Sequence, residues 1–175
     1  APGRGGGGEG RRALRGGRAP PPRCGRPPLS KGYLLGNDSL EDAFVHPRDW
    51  YAEHDVDLRL GVEATGLDTD AHVVSTTGGD LTYERLLLAT GAEPRRLAVA
   101  EDSGVPTAYL RTIEDSDRLR DAFAGGRIAV VGAGWIGLEV AAAAREKGCE
   151  VTVFETAELP LLRVLGPTVA QVFAD

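Results

Sequence analysis

Apolar positions are nearly absent before Leu29 and regularly spaced after it. Residues 47–54, with Trp50 and Tyr51, predict a short helix with proline in its first turn. Residues 57–61 predict a short strand. Residues 62–68 and 72–76 alternate as a hairpin around Asp68-Thr69-Asp70, with a further turn at Gly78-Gly79. The run Leu86-Leu87-Leu88-Ala89 reads as a buried strand. A linker of small residues follows, including Pro94, Gly104 and Pro106. Thr112 with Asp115 predicts a capped helix over 113–123, ended by Gly125-Gly126. The Val-rich run 128–131 suits a buried parallel strand. A helix over 135–147 follows, stopped by Gly148, and then a β-branched strand over 151–155. Gly166-Pro167 opens a last helix, with no stop signal before Asp175.

The stretch Val131-Gly132-Ala133-Gly134-Trp135-Ile136-Gly137 has the GxGxxG spacing, and the elements around it are those the motif requires. Gly132 permits the tight strand-to-helix turn. Gly134 leaves room for a pyrophosphate against the backbone. Gly137 lets the helix lie close to the strands, and Ala141 keeps that seam thin. The first helical N–H groups are free to face phosphate. Glu155 ends the second strand, where it would accept hydrogen bonds from the adenine ribose. Its charge would repel a 2′-phosphate, so NADH is favoured over NADPH. The fold class is therefore α/β, of the Rossmann-like dinucleotide-binding kind.

Composition separates the two ends of the chain. Residues 1–26 hold seven Arg and one acid, whereas the rest carries 13 basic and 25 acidic residues. An acidic body argues against nucleic-acid binding. No apolar run approaches the length of a membrane span, and the start has no secretory h-region. All of residues 1–28 but Glu9, Leu14 and Cys24 are Gly, Pro, Arg or Ala. Such a segment has little to bury and is expected to be disordered. A shifted reading frame in a GC-rich gene would produce this mixture. That reading is preferred to a basic interaction tail, because no aromatic residues are interleaved for base stacking. Cys24 and Cys149 form no CxxC, which fits a reducing, cytoplasmic setting. His46, His54 and His72 have no acids or cysteines at ligand spacing, so no metal site is expected.

Four stretches resemble one family. Arg26-Pro27-Pro28-Leu29-Ser30-Lys31-Gly32-Tyr33-Leu34 resembles a signature of the FAD-dependent pyridine-nucleotide oxidoreductases, in the branch of the ferredoxin, rubredoxin and putidaredoxin reductases. The stretch from Thr82 through Leu86 and Thr90-Gly91-Ala92 to Pro94 resembles the motif at which such chains leave the FAD domain. Tyr109-Leu110-Arg111-Thr112 resembles the entry to the NAD domain, and Glu139 after the third glycine also matches. The resemblance implies an incomplete version of the two-nucleotide fold: residues 29–108 as a partial FAD-binding domain and 109–175 as the first part of an NAD-binding domain. The chain is read as a fragment.

The resemblance also implies residue roles. Lys31 falls close to the isoalloxazine ring. Ala64 lies where backbone groups meet the adenine of FAD, and Thr90 and Gly91 pass near the flavin. Arg111 contacts FAD at the crossover. Gly132, Gly134, Ile136 and Gly137 fall at the NAD pyrophosphate, with Glu155 at the ribose. Glu139 lies near the nicotinamide, able to pair with Lys31, and Trp135 near the nicotinamide entry. The implied activity is electron flow from NADH through FAD to a ferredoxin-like or rubredoxin-like iron–sulfur protein, with flavin binding impaired in this fragment. A non-catalytic NAD-binding protein is the alternative from another class. A disulfide reductase is disfavoured, because no CxxxxC is present near residues 26–31.

Overall fold

The computed structural model describes residues 11–14 and 27–174. The chain packs as two units. One comprises residues 1–24 and 44–92, the other 25–43 and 93–175. The division differs from the expected boundary at 108/109. Residues 27–36 side with the C-terminal segment because their apolar and polar groups are satisfied there. Leu34 is fully buried with Phe123, Val140 and Cys149, and the Ser116 hydroxyl donates to the Leu29 carbonyl at 2.8 Å.

In the first unit, β1 (Arg11–Leu14) runs parallel to β2 (Val56–Arg59), in register from Arg11 beside Val56 to Leu14 beside Arg59. A strand at this point differs from the disorder expected across residues 1–28; the ladder uses backbone groups, which the lack of apolar side chains does not remove. The remainder of that expectation, residues 1–10 and 15–26, lies outside the described residues. The helix α2 (Arg48–Glu53) begins after Pro47, whose φ of −63° and missing N–H suit a helix start. The expected hairpin is present as β3 (Ala64–Asp68) and β4 (Val73–Thr76). The turn at Gly79, with φ of 101°, returns the chain as a third antiparallel strand, β5 (Leu81–Thr82).

The run 86–89 is not the buried strand that its apolarity predicts. It has no regular structure, and Leu87 and Leu88 are 86 % and 69 % exposed. A strand needs a ladder partner as well as apolar side chains, and no strand pairs with it among the described residues.

In the second unit, Pro27–Ser30 forms a 3-10 turn leading into the single turn α1 (Gly32–Leu35). A short helix α3 (Ala98–Glu101) precedes α4 (Ile113–Ala122). α4 starts at the expected capping box: the Thr112 hydroxyl accepts from the Asp115 N–H at 3.2 Å, and the Asp115 carboxylate accepts from the Thr112 N–H at 2.9 Å. Next come β6 (Gly126–Val131), α5 (Trp135–Glu146) and β7 (Cys149–Phe154). β6 and β7 pair in parallel, from Gly126 beside Cys149 to Val131 beside Phe154. Val140, Ala141, Ala143 and Ala144 of α5 are buried, and small side chains let the helix lie close to the sheet. β6 is parallel as expected but only half covered: Ile128 and Val130 face the core, while Val131 is 64 % exposed.

The last helix, α6 (Leu162–Gln171), contains a break at Gly166, with φ of 72° and ψ of 171°. Pro167 follows that break. The expected start at Gly166-Pro167 therefore corresponds to its second segment, preceded by one extra turn.

Candidate functional site: a glycine-rich turn and an adjoining charged cleft

The chain leaves β6 through Gly132, whose φ of 105° is in the region that favours glycine. Gly134 then caps α5. The first bond of that helix inward from the cap runs from the Leu138 N–H to the Gly134 carbonyl at 3.0 Å. The N–H groups of Trp135, Ile136 and Gly137 precede it and have no intrahelical acceptor. A Cβ on Gly134 would meet nothing within 4 Å, so this side of the turn is open. A Cβ on Gly137 would lie 2.0 Å from the Gly132 carbonyl oxygen. The close seam is thus between the helix and its own entry turn, and it fixes the turn's shape.

Glu155, one residue beyond β7, reaches back to this turn. Its Oε2 accepts from the Ala133 N–H at 2.8 Å. Its Oε1 accepts from the Thr156 and Ala157 N–H groups at 2.7 and 3.0 Å. Backbone donors, led by Ala157 and Ala133, hold its carboxyl down at about 2. Glu155 also lines a recess of about 270 Å³ with Ala133, Leu138, Pro160 and Phe173.

A second cleft, of about 230 Å³, is lined by Leu29, Ser30, Lys31, Leu110, Arg111, Trp135, Ile136 and Glu139. Lys31 Nζ lies 2.8 Å from Glu139 Oε1, the pair expected from sequence. The buried Ser30 hydroxyl donates to Glu139 Oε2. Burial pushes the Glu139 carboxyl up, but the hydrogen bonds from Lys31 and Ser30 outweigh it, and the net direction is down. Sequence reasoning missed Ser30. Its adjacency to Lys31 was the available signal, since consecutive residues on a tight turn can reach one carboxylate.

Arg111 closes the cleft. Its backbone N–H donates to Asp115 Oδ2 at 3.0 Å, so the capping box of α4 fixes its main chain. Its Nη2 is buried and has no hydrogen-bond partner among the described residues. A buried guanidinium nitrogen without an acceptor is costly, and an anionic ligand would satisfy it. Together with the open face of Gly134 and the first-turn N–H groups of α5, it fits a dinucleotide and an anionic cofactor. Trp135 stands edge-on to Phe173, with ring centroids 5.9 Å apart.

Lys31, Arg111, Gly132, Gly134, Ile136, Gly137, Glu139 and Glu155 therefore fall in one unit. Ala64, Thr90 and Gly91 belong to the other. Ala64 is exposed at the start of β3, beside an irregularity in the ladder to β4. Thr90 and Gly91 are exposed and outside regular structure, with Gly91 at φ of 84°. Among the described residues, no group of three or more His, Cys, Asp or Glu could hold a metal, and no helix is long and apolar enough to cross a membrane.

Comparison with known proteins agrees with this geometry. A family model described as pyridine nucleotide-disulphide oxidoreductase matches residues 19–175. The ferredoxin–NAD(+) reductase component of an anthranilate 1,2-dioxygenase system from Burkholderia cepacia is 43 % identical over 151 residues, covering 85 % of this chain and 37 % of that protein. Putidaredoxin reductase from Pseudomonas putida is 41 % identical over 150 residues, covering 82 % and 35 %. The crystal structure of a covalent putidaredoxin reductase–putidaredoxin complex superimposes with a TM-score of 0.81 at 36 % identity, over 93 % of this chain and 40 % of that one. The chain spans little more than a third of the length of the curated relatives it matches. The family match and these identities show that the chain belongs to the pyridine nucleotide-disulphide oxidoreductase family, and its similar relatives are ferredoxin and putidaredoxin reductases.

Proposed function

We propose that these residues serve an NADH-dependent flavoprotein reductase that passes electrons through FAD to a ferredoxin-like or rubredoxin-like iron–sulfur protein in the cytoplasm. The Lys31–Glu139 pair beside Arg111 carries this reading. It puts a cation, an anion and an unsatisfied guanidinium in one cleft against the N-terminus of α5. FAD bound there would take hydride from the nicotinamide and give up electrons singly.

The chain's own groups bind, orient and exclude water. The N–H groups of Trp135, Ile136 and Gly137 face the dinucleotide pyrophosphate. Glu155 accepts from ribose hydroxyls and sets its charge against a 2′-phosphate. Arg111 supplies a donor to the flavin's anionic part. Glu139 holds Lys31 in place and offers a carboxylate to the nicotinamide. Leu29, Leu110, Trp135 and Ile136 wall the cleft with apolar surface. Ala64, Thr90 and Gly91 belong to the other unit, and the resemblance alone implies their backbone contacts to FAD. No side-chain nucleophile is needed, and residues 26–31, near which a disulfide reductase would carry its CxxxxC, contain no cysteine.

The purified chain should bind NADH and, with FAD added, oxidise NADH slowly in the presence of ferricyanide. Absence of both NADH binding and FAD-dependent oxidation would sink the reading. Oxidation that required a disulfide substrate would move it to a disulfide reductase.

A further inference from the structure

Ala133, at the centre of the glycine-rich turn, is 4 % exposed, and its peptide groups are held from both sides. Its N–H donates to Glu155 Oε2, and its carbonyl accepts from the Leu161 N–H at 3.0 Å. One residue earlier, the Gly132 N–H donates to the Phe154 carbonyl at 2.7 Å. The segment 154–161 thus grips the turn at three backbone groups of Gly132 and Ala133. Leu161 does so from a left-handed conformation, with φ of 56°, that a leucine rarely adopts. The second Glu155 oxygen is tied to the same segment by the Thr156 and Ala157 N–H groups and the Thr156 hydroxyl. Both oxygens are therefore engaged by protein groups.

We infer that Glu155 is a positioning residue that sets the phosphate-binding turn, in addition to facing the ribose; this rests on the reading of the turn as a dinucleotide site. The consequence concerns cofactor choice. If Glu155 acted only through its charge, neutralising it would relieve repulsion of a 2′-phosphate and admit NADPH. As a brace, it also fixes Ala133, and NADH and NADPH share the pyrophosphate that the turn holds. Removing the carboxylate then weakens both. Glutamine cannot replace it. Its carbonyl can face only one set of donors, and its amide would point a donor at the other, either the Ala133 N–H or those of Thr156 and Ala157.

The test compares Glu155→Gln and Glu155→Asp with the native chain. Binding of NADH and NADPH is measured by calorimetry, and amide exchange at Ala133 by NMR. Glu155→Asp keeps the charge but is one methylene short of Ala133. The brace predicts about a tenfold or greater loss of NADH affinity in both variants, the scale of one lost hydrogen bond to a charged group. It also predicts no gain of NADPH affinity, and faster Ala133 exchange. Unchanged Ala133 exchange in both variants, or tighter NADPH binding by Glu155→Gln, would overturn it. Should Glu155→Gln fail to fold, Glu155→Asp decides by the same readouts. Should the native chain bind no NADH, the dinucleotide reading fails and the exchange comparison alone decides the brace.

Discussion

Helix α5 has an acid on either side of its entry, and the two are held in different ways. Glu155 is fixed by backbone: its partners are the N–H groups of Ala133, Thr156 and Ala157. Glu139 is fixed by side chains that come from far away in sequence, Ser30 and Lys31. A backbone cradle forms wherever the strand–turn–helix forms, and any residue but proline in the cradle can supply its N–H. A side-chain cradle requires a distant segment to dock, and it fails if one residue changes. The first arrangement suits a general nucleotide grip. The second suits a cleft whose chemistry differs between relatives of the same fold.

The comparison breaks at its root if the helix entry moves, because α5 joins both acids. Gly137→Ala does this. Its Cβ would sit 2.0 Å from the Gly132 carbonyl oxygen, a backbone atom that cannot swing aside. The turn or the helix must shift, and overpacking of this kind costs about 3 kcal/mol. Chemical denaturation should show that loss, with NADH binding weakened beyond detection at concentrations that saturate the native chain. A variant as stable as the native chain would show that the seam can open freely, and the two acids would then not share a rigid reference.

A narrower change separates the acids. Glu139→Gln removes the charge that pairs with Lys31 and weakens the bond from Ser30, while leaving the Glu155 cradle intact. Lys31 is half-exposed, so its loss of a partner is softened by water. The Ser30 bond is partly buried and matters more. The expected cost is about 2 kcal/mol, since hydrogen bonds to charged groups exceed neutral ones. Calorimetric binding of ADP-ribose should be unchanged, because that ligand carries no nicotinamide. An equal loss of ADP-ribose and NADH affinity would mean that the cleft and the turn are one energetic unit.

The same contrast explains what could be read from the sequence. The unit β6–α5–β7 was legible because Gly132, Gly137 and Glu155 act within about two dozen residues, through turn geometry and backbone bonds. The capping box of Thr112 and Asp115 was legible for the same reason. The Lys31–Glu139 pair came from resemblance rather than from periodicity. Ser30 was missed, because nothing local marks a serine whose acceptor lies 109 residues away. The run 86–89 misled in the opposite sense. Its apolarity predicts burial, but a strand's ladder partner is a property of other segments, and none pairs with it among the described residues. The grouping of residues 27–36 with α4 and α5 was likewise invisible, since it depends on where Leu34 and Tyr33 find their partners. Tyr33 donates to Asp117 at 2.9 Å.

Ser30→Ala tests the side-chain cradle with the smallest perturbation. It removes one donor to Glu139 and leaves Lys31 in place, at a cost of about 1 kcal/mol. Its clearer signature is in titration. Both acids have folded pKa values below their ordinary 4.5, Glu155 at about 2. Each therefore contributes stability that is present above pH 4.5 and lost as pH falls through its folded value. Removing the Ser30 donor raises the folded pKa of Glu139 toward 4.5 and leaves that of Glu155 unchanged, because no Glu155 donor is touched. Carbon-13 NMR of the glutamate carboxyls should show one signal moving and the other fixed. Acid unfolding of the variant should then lose its Glu139 contribution over a narrower pH interval, closer to 4.5. If both signals moved, the two cradles would be coupled through α5, and the separation of a backbone-held acid from a side-chain-held acid would fail.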